Sequence, residues 1–247
     1  MDKKVLYLIC EGKTDSLTLY KPLINLFKKY FPNIEVKVTH GDIAYKDTCN
    51  ENNVHEMLEN YITDYLATFG LHSGEVVAVV QLIDTDGAFC DPAFIKRKEE
   101  IGPYEFRNDG IYVDDIDNVK NRFTKKTKIY KKILQIDEIL RIPFIKLFVS
   151  RNLEHAFYNE INLDDEEKTK RAFDFSSSYK DDDEKFEEFL ESIKFSCPDD
   201  YEKSWDFILK DNNSIKRCSN LFLLFGEVKK IIDANSEEAK IERLKHM

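Results

Sequence analysis

One hydrophobic run constrains the fold of this chain more than any other stretch, the sequence VVAVVQLIDTDG at residues 76–87. A continuous apolar run rich in β-branched residues is typical of a strand buried on both faces of a parallel sheet. Asp84 and Asp86 would then follow the carboxyl end of that strand, where open α/β sheets bind their ligands. Two neighbouring carboxylates repel each other unless a proton or a cation lies between them. The pair therefore predicts a cation site, and its oxygen ligands suit Mg²⁺.

Strands and helices are predicted to alternate before this run. Apolar patterns predict, in chain order, a strand at residues 5–10, a helix at 17–31, a strand at 34–39 and a helix at 54–69. Gly70 is placed where a helix C-terminal cap belongs. Pro22 conflicts with the first helix, so we expect that helix either to begin near Pro22 or to be kinked there. This alternation favours a parallel sheet with helices on its faces.

The chain after the two aspartates is predicted to leave the sheet and return to it. The predicted parts are a loop excursion at 91–115 with short strands at 104–106 and 111–113, a helix at 118–132, a fourth sheet strand at 142–149, and a largely helical, acidic remainder. We therefore expect a domain at residues 1–155 with an insertion at about 91–137. Residues 156–247 would form a helical C-terminal extension or subdomain.

Composition limits the class of protein. The length of 247 residues suits one domain, or one domain with an appendage. No apolar stretch approaches the roughly 20 residues of a membrane span, so no membrane association is expected. Five scattered cysteines without a CxxC pair predict a reducing, cytoplasmic compartment. The net charge of −10 argues against a general nucleic-acid coat but allows a local basic patch.

Such a patch is predicted on the helix at 118–132. This window contains seven basic residues and no acid: Lys120, Arg122, Lys125, Lys126, Lys128, Lys131 and Lys132. Lysine and arginine attract phosphates without distinguishing sequence, so the helix is a candidate nucleic-acid-binding surface. A solvated helix face is the alternative interpretation.

Two motifs together resemble the Toprim domain. The first is Glu11-Gly12 with Asp15 after the first strand, and the second is Asp84-Thr85-Asp86-Gly87 after the third. The resemblance covers residues 4–90 and continues into the strand at 142–149. The stretch Ser150-Arg151-Asn152-Leu153-Glu154 is similar to that of small bacterial defence effectors, the RloB-like and PARIS-type Toprim proteins and OLD-like nucleases.

This resemblance implies a fold and a function. It implies a Rossmann-like Toprim fold, and a Mg²⁺- or Mn²⁺-dependent nuclease that acts on DNA or RNA, tRNA included, in anti-phage defence in the bacterial cytoplasm. An ATPase partner protein is implied as well, because the chain has no GxxxxGK[ST] loop of its own. In the family the glutamate, here Glu11, is also proposed as a general acid or base. Homo-oligomerisation is left open.

The residues themselves point to the same site. Because parallel strands end at one edge of a sheet, Glu11, Asp84 and Asp86 are expected to converge and bind a divalent cation. Asp15, one turn into the first helix, would support that ion, and Glu154 is a candidate ligand of a second one. The alternatives are ordinary ones: a glutamate near a helix N-terminus for Glu11, and strand-end capping for the two aspartates.

Two further residues are candidates near this site. Lys146 lies in the middle of the fourth sheet strand, so its charge is expected to face a carboxylate or the edge of the site. OLD-type Toprim sites are described as using a lysine, and Lys146 could have that role by resemblance. His155 follows the same strand and would either assist catalysis or serve as a structural histidine.

Two other enzyme or binding classes fit the aspartate motif less well. An EF-hand loop that starts at Asp84 would need Gly at its sixth position and Glu at its twelfth, where the chain has Phe89 and Ile95. A haloacid-dehalogenase-like phosphatase also uses Asp-x-Asp, but Ala88 replaces the usual Thr or Val and the motif is not on the first strand.

The main alternative to a nuclease is a Toprim-like subunit that has lost catalysis and binds nucleic acid or a partner protein.

Overall fold

The computed structural model describes residues 4–44, 46–100, 102, 104–107 and 109–245, with side chains described up to residue 236. The strands are β1 (Lys4–Cys10), β2 (Ile34–His40), β3 (Val76–Asp84), β4 (Ile95–Arg97), β5 (Glu105–Arg107), β6 (Gly110–Val113), β7 (Glu138–Ile139) and β8 (Ile142–Val149). The α-helices are α1 (Lys13–Tyr30), α2 (Val54–Phe69), α3 (Ile116–Ile133), α4 (Leu153–Tyr158), α5 (Asp165–Tyr179), α6 (Asp183–Ser192), α7 (Tyr201–Ile208) and α8 (Leu224–Lys245).

A five-stranded sheet in the order β2-β1-β3-β8-β7 forms the centre of the molecule. Its first four strands are parallel, and only the short β7 pairs antiparallel with β8. β3 is central and buried along its length up to Ile83, as its continuous apolar run predicts. The register places Asp84 beside Val149, so β3 and β8 end together. The expectation of an α/β fold with a mainly parallel sheet and a helical C-terminal part is confirmed.

Helices cover both faces of this sheet. On one face α1 packs with α5, α6 and α8 around buried residues that include Leu23, Phe27 and Phe186. On the other face α2, α3 and α7 pack around residues such as Ile62, Ile129 and Trp205. The C-terminal helices therefore contribute to the same two hydrophobic layers as the helices between the strands. No described helix has the length and apolar content of a membrane-spanning segment.

Of the two arrangements expected from Pro22, a helix that begins near this residue is wrong. α1 begins directly after Gly12 and continues through Pro22 to Tyr30. Pro22 is buried, and its neighbours Leu19 and Leu23 are fully buried against the sheet. Packing of this apolar face stabilises the helix despite the one hydrogen bond that proline cannot make. At the end of α2, Gly70 adopts φ 62°, the left-handed conformation expected of a C-terminal cap.

The insertion forms a second sheet rather than a loop with one or two strands. β4, β6 and β5 make a three-stranded sheet in that order, with β4 parallel and β5 antiparallel to β6. The strands predicted at 104–106 and 111–113 are present as β5 and β6, whereas β4 was not predicted, because its short segment is dominated by the charged residues Lys96 and Arg97. The hydrophobic core of this small sheet contains Ile95, Phe106 and Ile111 together with Phe123 from α3. The small sheet is therefore packed against the basic helix.

Candidate functional site

The carboxyl ends of the parallel strands open into a cleft of about 760 Å³. Glu11 follows β1, Asp42 follows β2, and Asp84 and Asp86 follow β3. Two further acids come from helices, since Asp15 lies in the first turn of α1 and Glu154 in the first turn of α4. Seven acids line the cleft: Glu11, Asp15, Asp42, Asp84, Asp86 and Glu154, together with Glu105 of β5. The structure thus brings together all five acids that the sequence indicated.

The loop after β3 is held by the segment that follows β8. Thr85 is fully buried, and its hydroxyl donates to the carbonyl oxygen of Ser214 at 2.6 Å and accepts from the backbone N–H of Arg151 at 2.8 Å. The backbone N–H of Asp86 donates to the carbonyl oxygen of Arg151 at 2.6 Å, and Asp86 has a positive φ of 48°. These bonds fix the direction in which both aspartates leave the strand.

Gly87 completes this turn by letting α3 approach closely. A Cβ atom at this position would lie 2.1 Å from the ring of Phe123, closer than any non-bonded contact allows. Glycine is therefore required at the point where the loop meets the basic helix. This contact sets the distance between the two aspartates and the next residues of α3.

Lys126 projects from α3 into the acidic cluster. Its ammonium Nζ lies 2.7 Å from Asp86 Oδ2 and 3.3 Å from Glu11 Oε2, and the residue is only 3% exposed. Glu11 Oε1 also accepts from the hydroxyl of Tyr130 and, at 3.2 Å, from the backbone N–H of Asp84. Glu11 is thus held by three donors, and one cation is shared between Glu11 and Asp86.

Asp15, Asp84 and Glu154 are less well neutralised than Glu11 and Asp86. Asp15 Oδ2 accepts from the backbone N–H of Gly12 at 2.7 Å, and Glu154 Oε1 lies 3.7 Å from Lys168 Nζ at the cleft wall. Within the described part of the chain, the Asp84 carboxylate has no hydrogen bond or ion pair. Glu11 and Asp86 therefore share an internal cation, whereas among the described residues Asp15, Asp84 and Glu154 have the more distant Lys168, which pairs with Glu154.

Proton affinities reflect this arrangement. Burial, followed by repulsion from Asp15, Glu11 and further carboxylates, raises the pKa of Asp84 well above its usual range. Burial, then the Glu154 carboxylate, raises the pKa of Asp15 to about 6. Burial raises the pKa of Glu11 to about 8 against the opposing effect of the nearby ammonium. Burial disfavours the charge on Lys126, but Asp86 and Glu11 raise its pKa overall, so it stays charged.

The carboxylate oxygens of the cleft are chemically suitable ligands for a divalent cation, although their present positions do not form a complete coordination site. Among the described residues, no three histidine, cysteine, aspartate or glutamate side chains are arranged to hold a metal ion. Carboxylate oxygens are nonetheless the ligands that Mg²⁺ and Mn²⁺ prefer, and Asp84 is surrounded by like charges without a partner. The residues present therefore fit such an ion near Asp84, with Asp15 and Glu154 as its neighbours.

Lys146 and His155 lie away from the cleft lining. Lys146 is buried and donates to the carbonyl oxygen of Ile136 at 2.7 Å, with Asp137 at 3.8 Å, so it stabilises the β7 edge of the sheet. His155 is buried with Nδ1 3.4 Å from the carbonyl oxygen of Ser150. Burial, then the nearby Arg151 charge, lowers the pKa of His155 to about 4. It is a neutral histidine within α4, in keeping with the structural alternative.

The basic helix exposes only part of its charge. Lys128, Lys131 and Lys132 are exposed. Lys120 and Lys125 are half-buried, and Lys125 Nζ donates to the carbonyl oxygen of Asp47 at 3.1 Å. Arg122 reaches the cleft, where its guanidinium lies over the ring of Tyr104. The inclusion of Lys126 in the exposed surface was wrong, because its position on the buried face of α3 directs it into the acidic cluster.

Three residues at the site were not identified from the sequence. Asp42 follows β2 at the same sheet edge as the other acids, so the strand order alone could have indicated it. Tyr130 lies one turn after Lys126, a spacing that places both on one face of α3. Lys168 comes from α5, and nothing in the sequence relates that helix to the strand ends. No protein-family model, curated protein or solved structure matches this chain.

Proposed function

We propose that this protein is a divalent-cation-dependent phosphodiesterase that cleaves nucleic acid. One observation carries the proposal: seven acids line a single cleft at the carboxyl edge of a parallel sheet, and Asp84 among them is repelled by several of its acidic neighbours. Such an arrangement is unfavourable for a protein on its own and becomes favourable when a cation binds. The resemblance of the two acidic motifs to the Toprim domain supports the same conclusion.

Asp84, Asp15 and Glu154 are the residues that would hold Mg²⁺ or Mn²⁺. A bound ion would supply an activated water and neutralise charge on a phosphodiester. Glu11 keeps a proton at neutral pH more readily than an ordinary glutamate, which suits a general acid for the leaving oxygen. Tyr130 and Lys126 fix the position of that carboxyl group.

The walls of the cleft suit a phosphate-containing substrate. Arg122 and Lys168 line it from α3 and α5, and cations at these two places attract phosphate groups. On one wall, the side chain of Asn162 accepts from the backbone N–H of Phe106 and donates to its carbonyl oxygen, both at 3.0 Å. This reciprocal pair fixes the small sheet against the segment before α5. The exposed lysines of α3 continue the positive surface away from the cleft.

A second candidate is a subunit that binds nucleic acid or a partner protein without catalysis. Two observations favour it: Lys126 lies between two of the three strand-end acids, and the described residues form no finished metal site. Under either function, the Toprim resemblance supports a role in bacterial anti-phage defence, with an ATPase as partner protein and the cytoplasm as compartment.

One experiment separates the two candidates. Purified protein is incubated with Mg²⁺ or Mn²⁺ and total nucleic acid, and the species that disappear are identified by sequencing. Asp84→Asn serves as the matched control because it keeps the shape of the side chain and removes its charge. Cleavage by the wild type that EDTA and Asp84→Asn both abolish supports the nuclease. Binding of nucleic acid without any cleavage supports the binding subunit.

A further inference from the structure

The acidic cluster is divided into two parts by a single side chain. Glu11 and Asp86 share the ammonium of Lys126, at 3.3 and 2.7 Å. The Asp84 carboxylate, by contrast, has neither a hydrogen bond nor an ion pair among the described residues. The two parts differ in charge, since Glu11 and Asp86 share an internal ammonium and Asp84 has no such partner among the described residues.

Lys126 is held in this position by its helix. The neighbouring residues on the same face of α3, Phe123, Ile129, Tyr130 and Ile133, are all buried, so the helix cannot rotate to withdraw the ammonium without exposing them. Tyr130, one turn further along, donates to the same Glu11 that Lys126 contacts. The close approach of Phe123 to Gly87 fixes the other end of this helical face. The ammonium is therefore a built-in part of the site.

We infer that the Lys126 ammonium takes the place of one divalent cation, so that the site binds a single ion, on the Asp84 side. The inference rests on the cation site proposed above. A metal ion between Glu11 and Asp86 would have to occupy the volume that the ammonium fills, and it would be repelled by that charge. Asp84, Asp15 and Glu154 are not blocked in this way, and there a single ion would offset the remaining repulsion.

Removing the ammonium should then open a second ion site. Without it, Glu11 and Asp86 would be two neighbouring carboxylates with no internal cation, the arrangement that now exists around Asp84. Lys126→Met keeps most of the volume of the side chain and removes its charge. Lys126→Arg keeps the charge, so this variant should still bind a single divalent ion. Lys128→Met makes the same change at an exposed position of the same helix and serves as the matched control.

The test counts bound Mn²⁺ on the full-length protein by equilibrium dialysis and electron paramagnetic resonance, without nucleic acid. The expected counts are one ion for the wild type, Lys126→Arg and Lys128→Met, and two for Lys126→Met. Two Mn²⁺ ions in Lys126→Met at a spacing close enough for spin coupling would further support the inference. Circular dichroism establishes that each variant is folded before its ions are counted.

Several outcomes would overturn the inference. Two ions in the wild type would show that the ammonium does not replace one, and this measurement decides even if Lys126→Met fails to fold. A folded Lys126→Met that still binds one ion would overturn it as well. If the wild type binds no Mn²⁺, the proposed cation site fails together with the inference. Nucleic-acid cleavage is measured separately, so a failed nuclease with the expected ion counts leaves the inference standing.

Discussion

The ammonium of Lys126 lies 2.7 Å from the carboxylate of Asp86, in a place where only 3% of the lysine is exposed. A buried charge pair contributes little net stability compared with apolar residues, but removing one partner leaves the other unpaired and largely buried. The pair therefore makes the stability of the fold depend on the charge balance of the cleft, and substitutions there should change stability and cation binding together.

The first prediction concerns the lysine itself. Lys126→Met should lower the free energy of unfolding in EDTA by about 3–5 kcal/mol, because Asp86 and Glu11 lose their internal cation. Urea unfolding followed by circular dichroism measures this change. Lys128→Met, on the exposed face of the same helix, should stay within about 0.5 kcal/mol of the wild type. Equal effects of the two substitutions would contradict the assigned role of Lys126.

The second prediction is that two neutral substitutions of strand-end acids do not destabilise the cation-free protein at neutral pH. In EDTA, Asp84→Asn should raise the melting temperature by about 2–4 °C for each kcal/mol of repulsion removed. Glu11→Gln should not lower it at neutral pH, because burial already raises the pKa of Glu11 to about 8 and the amide resembles the protonated side chain. Differential scanning calorimetry gives both values, and a lower melting temperature for Asp84→Asn than for the wild type would refute this account. Mn²⁺ affinity should fall in both variants, by about 10–100-fold for Glu11→Gln if it acts mainly by positioning neighbours.

The third prediction concerns pH. The folded protein raises the pKa of Asp15 to about 6 and of Glu11 to about 8, so between their ordinary values and these values the folded state holds protons that the unfolded chain releases. Stability without a cation should therefore fall as the pH rises from about 5 to about 8. A divalent cation binds the deprotonated form, so the rise in melting temperature caused by Mg²⁺ should grow over the same interval.

This pH dependence is measured as the difference between melting curves in saturating Mg²⁺ and in EDTA, at several pH values. Asp84→Asn is the control, because it removes the carboxylate around which the ion is proposed to bind and should flatten the difference. A Mg²⁺ effect that shrinks with rising pH in the wild type would be incompatible with binding by these carboxylates.

The fourth prediction concerns the packing of the loop against α3. Gly87→Ala places a Cβ atom where the ring of Phe123 lies, so the loop or the helix must move. The cost should be about 1–3 kcal/mol, typical of overpacking, and cation affinity should fall because Lys126 moves with its helix. Gly74→Ala has open space around the new atom and should be close to neutral. An unchanged stability for Gly87→Ala would show that the loop and the helix pack more loosely than described.

The fifth prediction concerns the exposed face of α3. Lys125, Lys128 and Lys132 share one side of the helix by their spacing, and changing all three to Glu should weaken nucleic-acid binding and flatten its salt dependence. The salt dependence is the slope of the logarithm of the binding constant against the logarithm of the salt concentration. For each phosphate that the variant no longer neutralises, the magnitude of this slope should drop by about 0.7 on single strands and about 0.9 on duplex. Mn²⁺ binding should be unchanged, since none of the three lines the acidic cleft.

A charge-matched control tests whether position matters in this last experiment. The same number of lysines is changed to Glu on other exposed surfaces, at Lys21, Lys28 and Lys170. If both triple variants lose the same affinity, general charge is responsible. If the α3 variant binds nucleic acid at low salt as the wild type does, this face is solvated or binds a partner protein.

Much of the central sheet could be predicted because its signals are local. The apolar run before Asp84 identified the central strand, and the shared edge of parallel strands predicted that Glu11, Asp84 and Asp86 would approach one another. The strands predicted at 104–106 and 111–113 correspond to β5 and β6, but β4 could not be predicted, since its pairing depends on β6 across the small sheet. The contribution of α5 to the cleft, through Lys168, likewise depends only on tertiary packing.

Lys126 is the most instructive error. The run of seven basic residues suggested a single charged surface, yet the buried residues Phe123, Ile129 and Ile133 repeat at three- and four-residue intervals around Lys126. The apolar periodicity therefore placed this lysine on the inner face of the helix, and the density of charge obscured it. A lysine at a buried position of an amphipathic helix should therefore be considered as an ion-pair partner for acids at the carboxyl edge of the sheet.

The hydrogen bonds that hold the Asp84–Asp86 turn also set the order in which the site becomes complete during synthesis. Thr85 and Arg151 both bond to the carbonyl oxygen of Ser214, and Ser150 exchanges hydrogen bonds with the backbone of Cys218. These partners leave the ribosome long after all four parallel strands have been made. A growing chain can therefore assemble the sheet while its acidic turn is still unsupported, and the cleft reaches its final shape only when the segment around residue 214 has emerged.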